Sequence, residues 1–174
     1  MSRLDTQQQD GFSMIEVLVT LLVLSIGLLG LAGLQGLSLT TNNTAYQSSL
    51  ATTLAGDIVN RMRANRGAAL ARQYHQSSAG NLSNAEQTCG TTGCGAAAMA
   101  SNDLFSWDMA LANGLPNGRG VVCVHSTPNA IGTLLDPDNP QCDGNGTTYA
   151  IKVWWGQLDG NGIPTFSFAT SHEP

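Results

Sequence analysis

The sequence predicts an α+β protein: one long N-terminal helix, part membrane-apolar and part amphipathic, packed on a small antiparallel β-sheet. Three observations predict it. Residues 17–34 contain no charged side chain. Tyr46, Leu50, Leu54, Ile58 and Met62 then recur every four residues, with Ala51, Ala55 and Val59 alongside, which draws one apolar stripe along a helix. The last third holds three β-rich runs, Val121–His125, Tyr149–Trp155 and Ile163–Phe168, the last two parted by the turn residues Leu158-Asp159-Gly160-Asn161-Gly162.

The apolar run opens with Gly11-Phe12-Ser13-Met14-Ile15-Glu16 and continues uncharged from Val17 to Leu34. About 18 residues make roughly 27 Å of helix, enough to cross most of a hydrocarbon core. Glu16 sits at its start. A carboxylate inside such a segment costs about 2.5–3.5 kcal/mol on insertion scales, so it needs a partner or a route to the headgroups. No Ala-x-Ala cleavage site follows Leu39, which separates this segment from an ordinary secretory signal and predicts an anchor that stays. Arg3 and the initiator amine precede the helix, and no Lys or Arg follows it before Arg61, which predicts a cytoplasmic N-terminus.

This N-terminal pattern resembles the type IV pilin and pseudopilin family. The resemblance implies a hydrophilic leader, Met1 to Gly11, cut by prepilin peptidase between Gly11 and Phe12. It also implies N-methylation of Phe12 and a mature chain whose fifth residue is Glu16. The new ammonium of one subunit and the Glu16 carboxylate of its neighbour would then neutralise each other at low dielectric, making Glu16 a registry charge for assembly. Such leaders are usually net basic, whereas this one sets Arg3 against Asp5 and Asp10. The run from Gly11 to Gln35 looks most like the PilV-type minor pilins. That likeness implies a structural, non-enzymatic subunit of the complex that primes pilus assembly. Its partners would be other minor pilins, the major pilin and the inner-membrane assembly platform. It would start in the inner membrane, single-pass with a periplasmic head, and end in the pilus. Two other readings share some of these residues: a minor pseudopilin of a type II secretion system, and a bitopic membrane protein whose head binds a ligand.

The expected division is a leader at 1–11, a transmembrane and assembly helix at 12–39, and a globular head at 40–174. Glycines at 27, 30, 33 and 36 sweep around the helix, while Ala32 and Gly36 stack as a small-xxx-small pair. The family's larger pilins often carry a proline here; this chain has none, and the glycines would supply any local flexibility. Thr40 to Thr44 is expected to mark emergence from the bilayer, as helix or as a kink. Arg61, Arg63, Arg66 and Arg72 cluster where cations suit a helix C-terminus, and Gly67 is a natural stop. Residues 77–100 lack periodicity and read as a loop. Ser101 is expected to cap a short surface helix with Leu104, Trp107, Asp108 and Leu111 at helical spacing, ended by Asn113-Gly114-Leu115-Pro116. Of the adjacent Trp154 and Trp155, one is expected in the core and the other against a neighbouring subunit.

Composition narrows the function. Charged residues are 11% of the 174 and the net charge is −5, which fits an exported surface protein and makes sequence-independent nucleic-acid binding a poor fit. Cys89, Cys94, Cys123 and Cys142 are even in number, and export favours disulfides. Of three possible pairings, Cys89–Cys94 and Cys123–Cys142 close local loops and are preferred. The C-x₄-C and C-x₁₈-C spacings suit zinc poorly. His75, His125 and His172 fall in no nucleophile–base signature, and there is no Walker loop, G-x-S-x-G or H-E-x-x-H. Neither a catalytic set nor a cofactor or metal is expected. The Asp/Asn loops at 136–139, 143–145 and 159–161 offer oxygens to calcium, but without an EF-hand pattern.

Overall fold

The computed structural model describes residues 13–80, 89, 93–127 and 136–174. Two compact units divide the chain, Met1–Thr44 and Ala45–Pro174. Helix α1, Met14–Ala64, runs through both. No helix break occurs at Thr40–Thr44; Thr40, Thr41 and Thr44 return their hydroxyls to the carbonyls of Gly36, Leu37 and Thr40. This back-bonding satisfies polar groups within the helix itself. In the first unit the large apolar side chains of α1 are exposed, Leu18, Leu24, Ile26, Leu29 and Leu34 among them. They have no protein core of their own to enter, which is the condition of a segment whose solvent is lipid or other helices.

In the second unit α1 buries Ala51, Ala55, Ile58 and Met62, with Leu50, Leu54 and Val59 half-buried beside them. The stripe predicted from the sequence is therefore right in its centre and wrong at its start. Tyr46 is 64% exposed and joins no core. α1 stops at Ala64, and Asn65 breaks it ahead of the five-residue α2, Arg66–Leu70. The Asn65 amide donates to the Ala96 carbonyl (2.7 Å) and to the Tyr74 hydroxyl (3.2 Å), tying this corner down.

The next helix differs from its sequence reading in start and in setting. α3 spans Ala96–Gly114 and begins after Gly95, five residues ahead of Ser101. Ser101 is no N-cap; its hydroxyl donates back to Ala97. The Ala96-Ala97-Ala98-Met99-Ala100 run has the highest helix propensity in the chain but no polarity contrast, so periodicity misses it. Nor is α3 a surface helix. Ala100, Asp103, Leu104, Trp107 and Leu111 are buried, and the Trp107 indole N–H donates to the Leu54 carbonyl on α1 at 2.8 Å. Leu115 follows in extended conformation and the helix ends where Asn113-Gly114-Leu115-Pro116 predicts.

The sheet is antiparallel, ordered β1-β2-β3, with β1 at Arg119–His125, β2 at Thr148–Leu158 and β3 at Pro164–His172. β2 is central and buried on both faces. Tyr149, Ile151, Val153 and Trp155 join the core with α1 and α3, while Ala150 and Trp154 join Ala79, Val121, Cys123 and half-buried Cys142 on the reverse face. Both tryptophans are thus interior, and neither is left for a neighbouring subunit. The reverse face is covered by the chain from Asp136 to Gly146, bridged to β1 through Cys142. Gly120 is required by packing: a Cβ there would lie 2.4 Å from both Leu111 and the Trp107 ring. The turn at Asp159 forms as its residues suggest, its carboxylate accepting from Asn161 N and Ile163 N.

Candidate functional site

The N-terminal motif begins outside the described residues. Gly11 and Phe12, the expected cleavage and methylation positions, lie there, as does the expected leader. Ser13 opens α1: its carbonyl accepts from the N–H groups of Glu16 (3.0 Å) and Val17 (3.4 Å). Glu16 stands exposed in the first turn, where a carboxylate complements the helix dipole. It has no cationic side-chain partner among the described residues. α1 is the one described helix long and apolar enough to cross a membrane.

The cysteines pair as Cys89–Cys94 and Cys123–Cys142, and none among the described residues is free. The first bridge ties the chain just ahead of α3. The second pins the reverse-face cover to β1. The oxygen-rich loops serve the loops themselves. Asp136 accepts from Asp138 N, Asp138 pairs with the Arg119 guanidinium, and Asp143 accepts from Ser126 and Asn145. The Ser126 hydroxyl leads the donors that hold the Asp143 carboxyl down at about 2. Among the described residues no group of three His, Cys, Asp or Glu is placed to hold a metal. His75 accepts from Val124 N, His125 accepts from Thr127 N, and His172 is buried at the end of β3.

Two buried polar features escaped sequence reasoning. Asp103, on α3, accepts from the Tyr74 hydroxyl (2.6 Å) and from Arg61 (3.3 Å), which also pairs with Asp57 one turn earlier at 2.8 Å. This network joins α1, α3 and the chain after α2, and burial together with Asp103 pushes the Tyr74 hydroxyl pKa up. Its trace in the sequence is one acid, Asp103, at helical spacing between apolar positions. The other feature is Lys152, buried mid-strand, with its ammonium donating to the Pro140 carbonyl under the reverse-face cover. A lone lysine between Ile151 and Val153 is the only signal for it. Burial pulls its pKa down.

His172 gives the head an acid-side weakness. Burial, then the nearby Arg63 charge, lowers its pKa below the ordinary 6.5. The neutral ring is what the fold accepts, so the stability it contributes is complete above about 6.5 and is lost as pH falls through the lowered value. His172→Gln is expected to flatten the fall in unfolding free energy between pH 7 and pH 5, read by denaturant titration in detergent. An unchanged slope would exclude His172 as the source.

Residues 6–32 match a family model described as the prokaryotic N-terminal methylation motif. Residues 33–105 match one described as type IV pilin Tt1218. No curated protein and no solved structure matches. The second match runs from Gly33 in α1 to Phe105 in α3. The two matches adjoin, spanning residues 6–105, and with a long N-terminal helix packed on a three-stranded antiparallel sheet they make the chain similar to type IV pilins that carry the prokaryotic N-terminal methylation motif.

Proposed function

We propose that this chain is a minor pilin of a type IV pilus, of the PilV type, and a structural subunit of the complex that primes pilus assembly. The observation that carries the reading is Glu16: an acid in the first turn of a helix whose next 18 residues are uncharged and exposed. Prepilin peptidase removes residues 1–11, and methylation follows on Phe12. Glu16 is then the fifth residue of the mature chain, counted from that new amine. Between staggered chains the amine of one meets the carboxylate of the next, and their attraction offsets the cost of taking both charges out of water. Residues 12–39 hold the subunit in the inner membrane before assembly, with residues 40–174 as a periplasmic head. Other minor pilins, the major pilin and the assembly platform are the partners. The role is mechanical, with no reaction of its own.

Deleting the gene in the producing bacterium tests the role. Surface pili are expected to disappear or fall steeply and to return with the wild-type chain. Normal piliation with a loss of secreted enzymes would move the protein to the type II secretion pseudopilins, which share the same N-terminal chemistry.

A further inference from the structure

The two edges of the sheet are treated differently. β1 is closed: Val122 accepts from Gln76 N and donates to the Gln76 side chain (both 2.8 Å), while Val124 donates to His75 and accepts from Gly144 N. Because Val122 and Val124 turn their backbone groups outward, their register partners Ile151 and Tyr149 turn theirs toward β3 and pair with Thr170 and His172. It follows that Ser167, Ala169 and Ser171 direct their N–H and C=O groups away from the sheet. No described segment pairs with them. β3 also lacks the usual protection of an edge, having no Lys or Glu from Pro164 to His172 and only Pro164 and the bulge opposite it at one end.

A groove of about 310 Å³ runs beside this edge, between β3 and α1. Gly56 and Ala55 leave its α1 wall low, and a Cβ on Gly56 would meet nothing within 4 Å. At one end stand Arg63 and His172. Among the described residues no carboxylate lies within ion-pair distance of Arg63. His172 is only 8% exposed and its Nε2 has no hydrogen-bond partner.

We propose that β3 is a docking edge for an extended segment of a neighbouring filament subunit, which adds a fourth strand along Ser167–Ser171 and sets a carboxylate against Arg63. Backbone pairing supplies the affinity, as in strand addition elsewhere. Small apolar side chains at alternate positions of the guest fill the groove over Gly56, and the acid at its end gives direction and selectivity. The inference rests on the pilin reading above, since it needs a neighbour in a filament.

Amide hydrogen exchange resolved to single residues tests it, on the full chain in detergent and on pili purified from producing cells. The amides of Ser167, Ala169 and Ser171 are expected to exchange fast in the free chain and slowly in the pilus. Ala169→Pro removes one outward donor and none directed at β2, so it should leave the exchange of β2 amides unchanged and lower the amount of chain in pili about two- to tenfold. Arg63→Glu should lower it as well, with the deficit shrinking at high salt. Fast exchange at the three outward amides within pili, or wild-type incorporation of both variants, would overturn the docking edge while leaving the pilin reading intact. Absence of the wild-type chain from pili would instead overturn the pilin reading and the docking edge with it. Were Ala169→Pro to disturb the β2 amides, Arg63→Glu and the wild-type exchange pattern would decide alone.

Discussion

Glu16→Ala is expected to leave the chain in the membrane and remove it from the pilus. Alanine costs less to insert than a carboxylate, so membrane levels should hold or rise. On the proposed mode of assembly, what is lost is the partner of the neighbour's N-terminal ammonium. Removing one member of a buried ion pair typically costs about 3–5 kcal/mol because the other charge is left uncompensated. At about 1.4 kcal/mol per tenfold, that is a loss of incorporation of more than a hundredfold. Glu16→Gln keeps the shape and loses the charge, and should behave the same way. Quantitative immunoblotting of membrane and sheared-pilus fractions reads both quantities; wild-type amounts of Glu16→Ala chain in the pilus fraction would remove the pairing role.

Trp107→Ala should be the most damaging single change to the head. The ring is fully buried between α1, α3 and β1, its indole N–H is bonded to Leu54, and Gly120 exists to admit it. Large-to-small substitution of such a residue costs about 3–5 kcal/mol through lost burial and the cavity left behind. A fall in Tm of about 10 °C or more follows for a domain of this size, measurable by near-UV circular dichroism on the detergent-solubilised chain. A shift of only 1–2 °C would mean that the α1–α3–sheet core can collapse onto the gap.

The assembly helix and the sheet were legible because each has a period. Four-residue recurrence drew the α1 stripe, and β-branched alternation drew the three strands to within a few residues of their ends. Tyr46 misled because spacing alone cannot tell the last residue of a stripe from the first residue beyond the core. The start of α3 was hidden because alanine marks neither face of a helix. One of Trp154 and Trp155 was expected to face a neighbouring subunit, yet both are buried: strand alternation puts neighbours on opposite faces but does not say whether a loop covers the second face, as residues 136–146 do. Asp103 and Lys152 were missed for a related reason. A buried polar side chain is identified by the groups that satisfy it, and Tyr74, Arg61 and Pro140 are brought near only by the fold. At the N-terminus the motif itself is the information: the methylation-motif match covers residues 6–32, while the roles of Gly11, Phe12 and Glu16 rest on resemblance.

The most direct measurement is the intact mass of the chain isolated from native pili. The expected product begins at Phe12, carries one methyl group on its amine and has lost four hydrogens to two disulfide bridges. A chain still starting at Met1 inside functional pili would contradict the pairing of a processed amino terminus with Glu16, and with it the proposed mode of assembly.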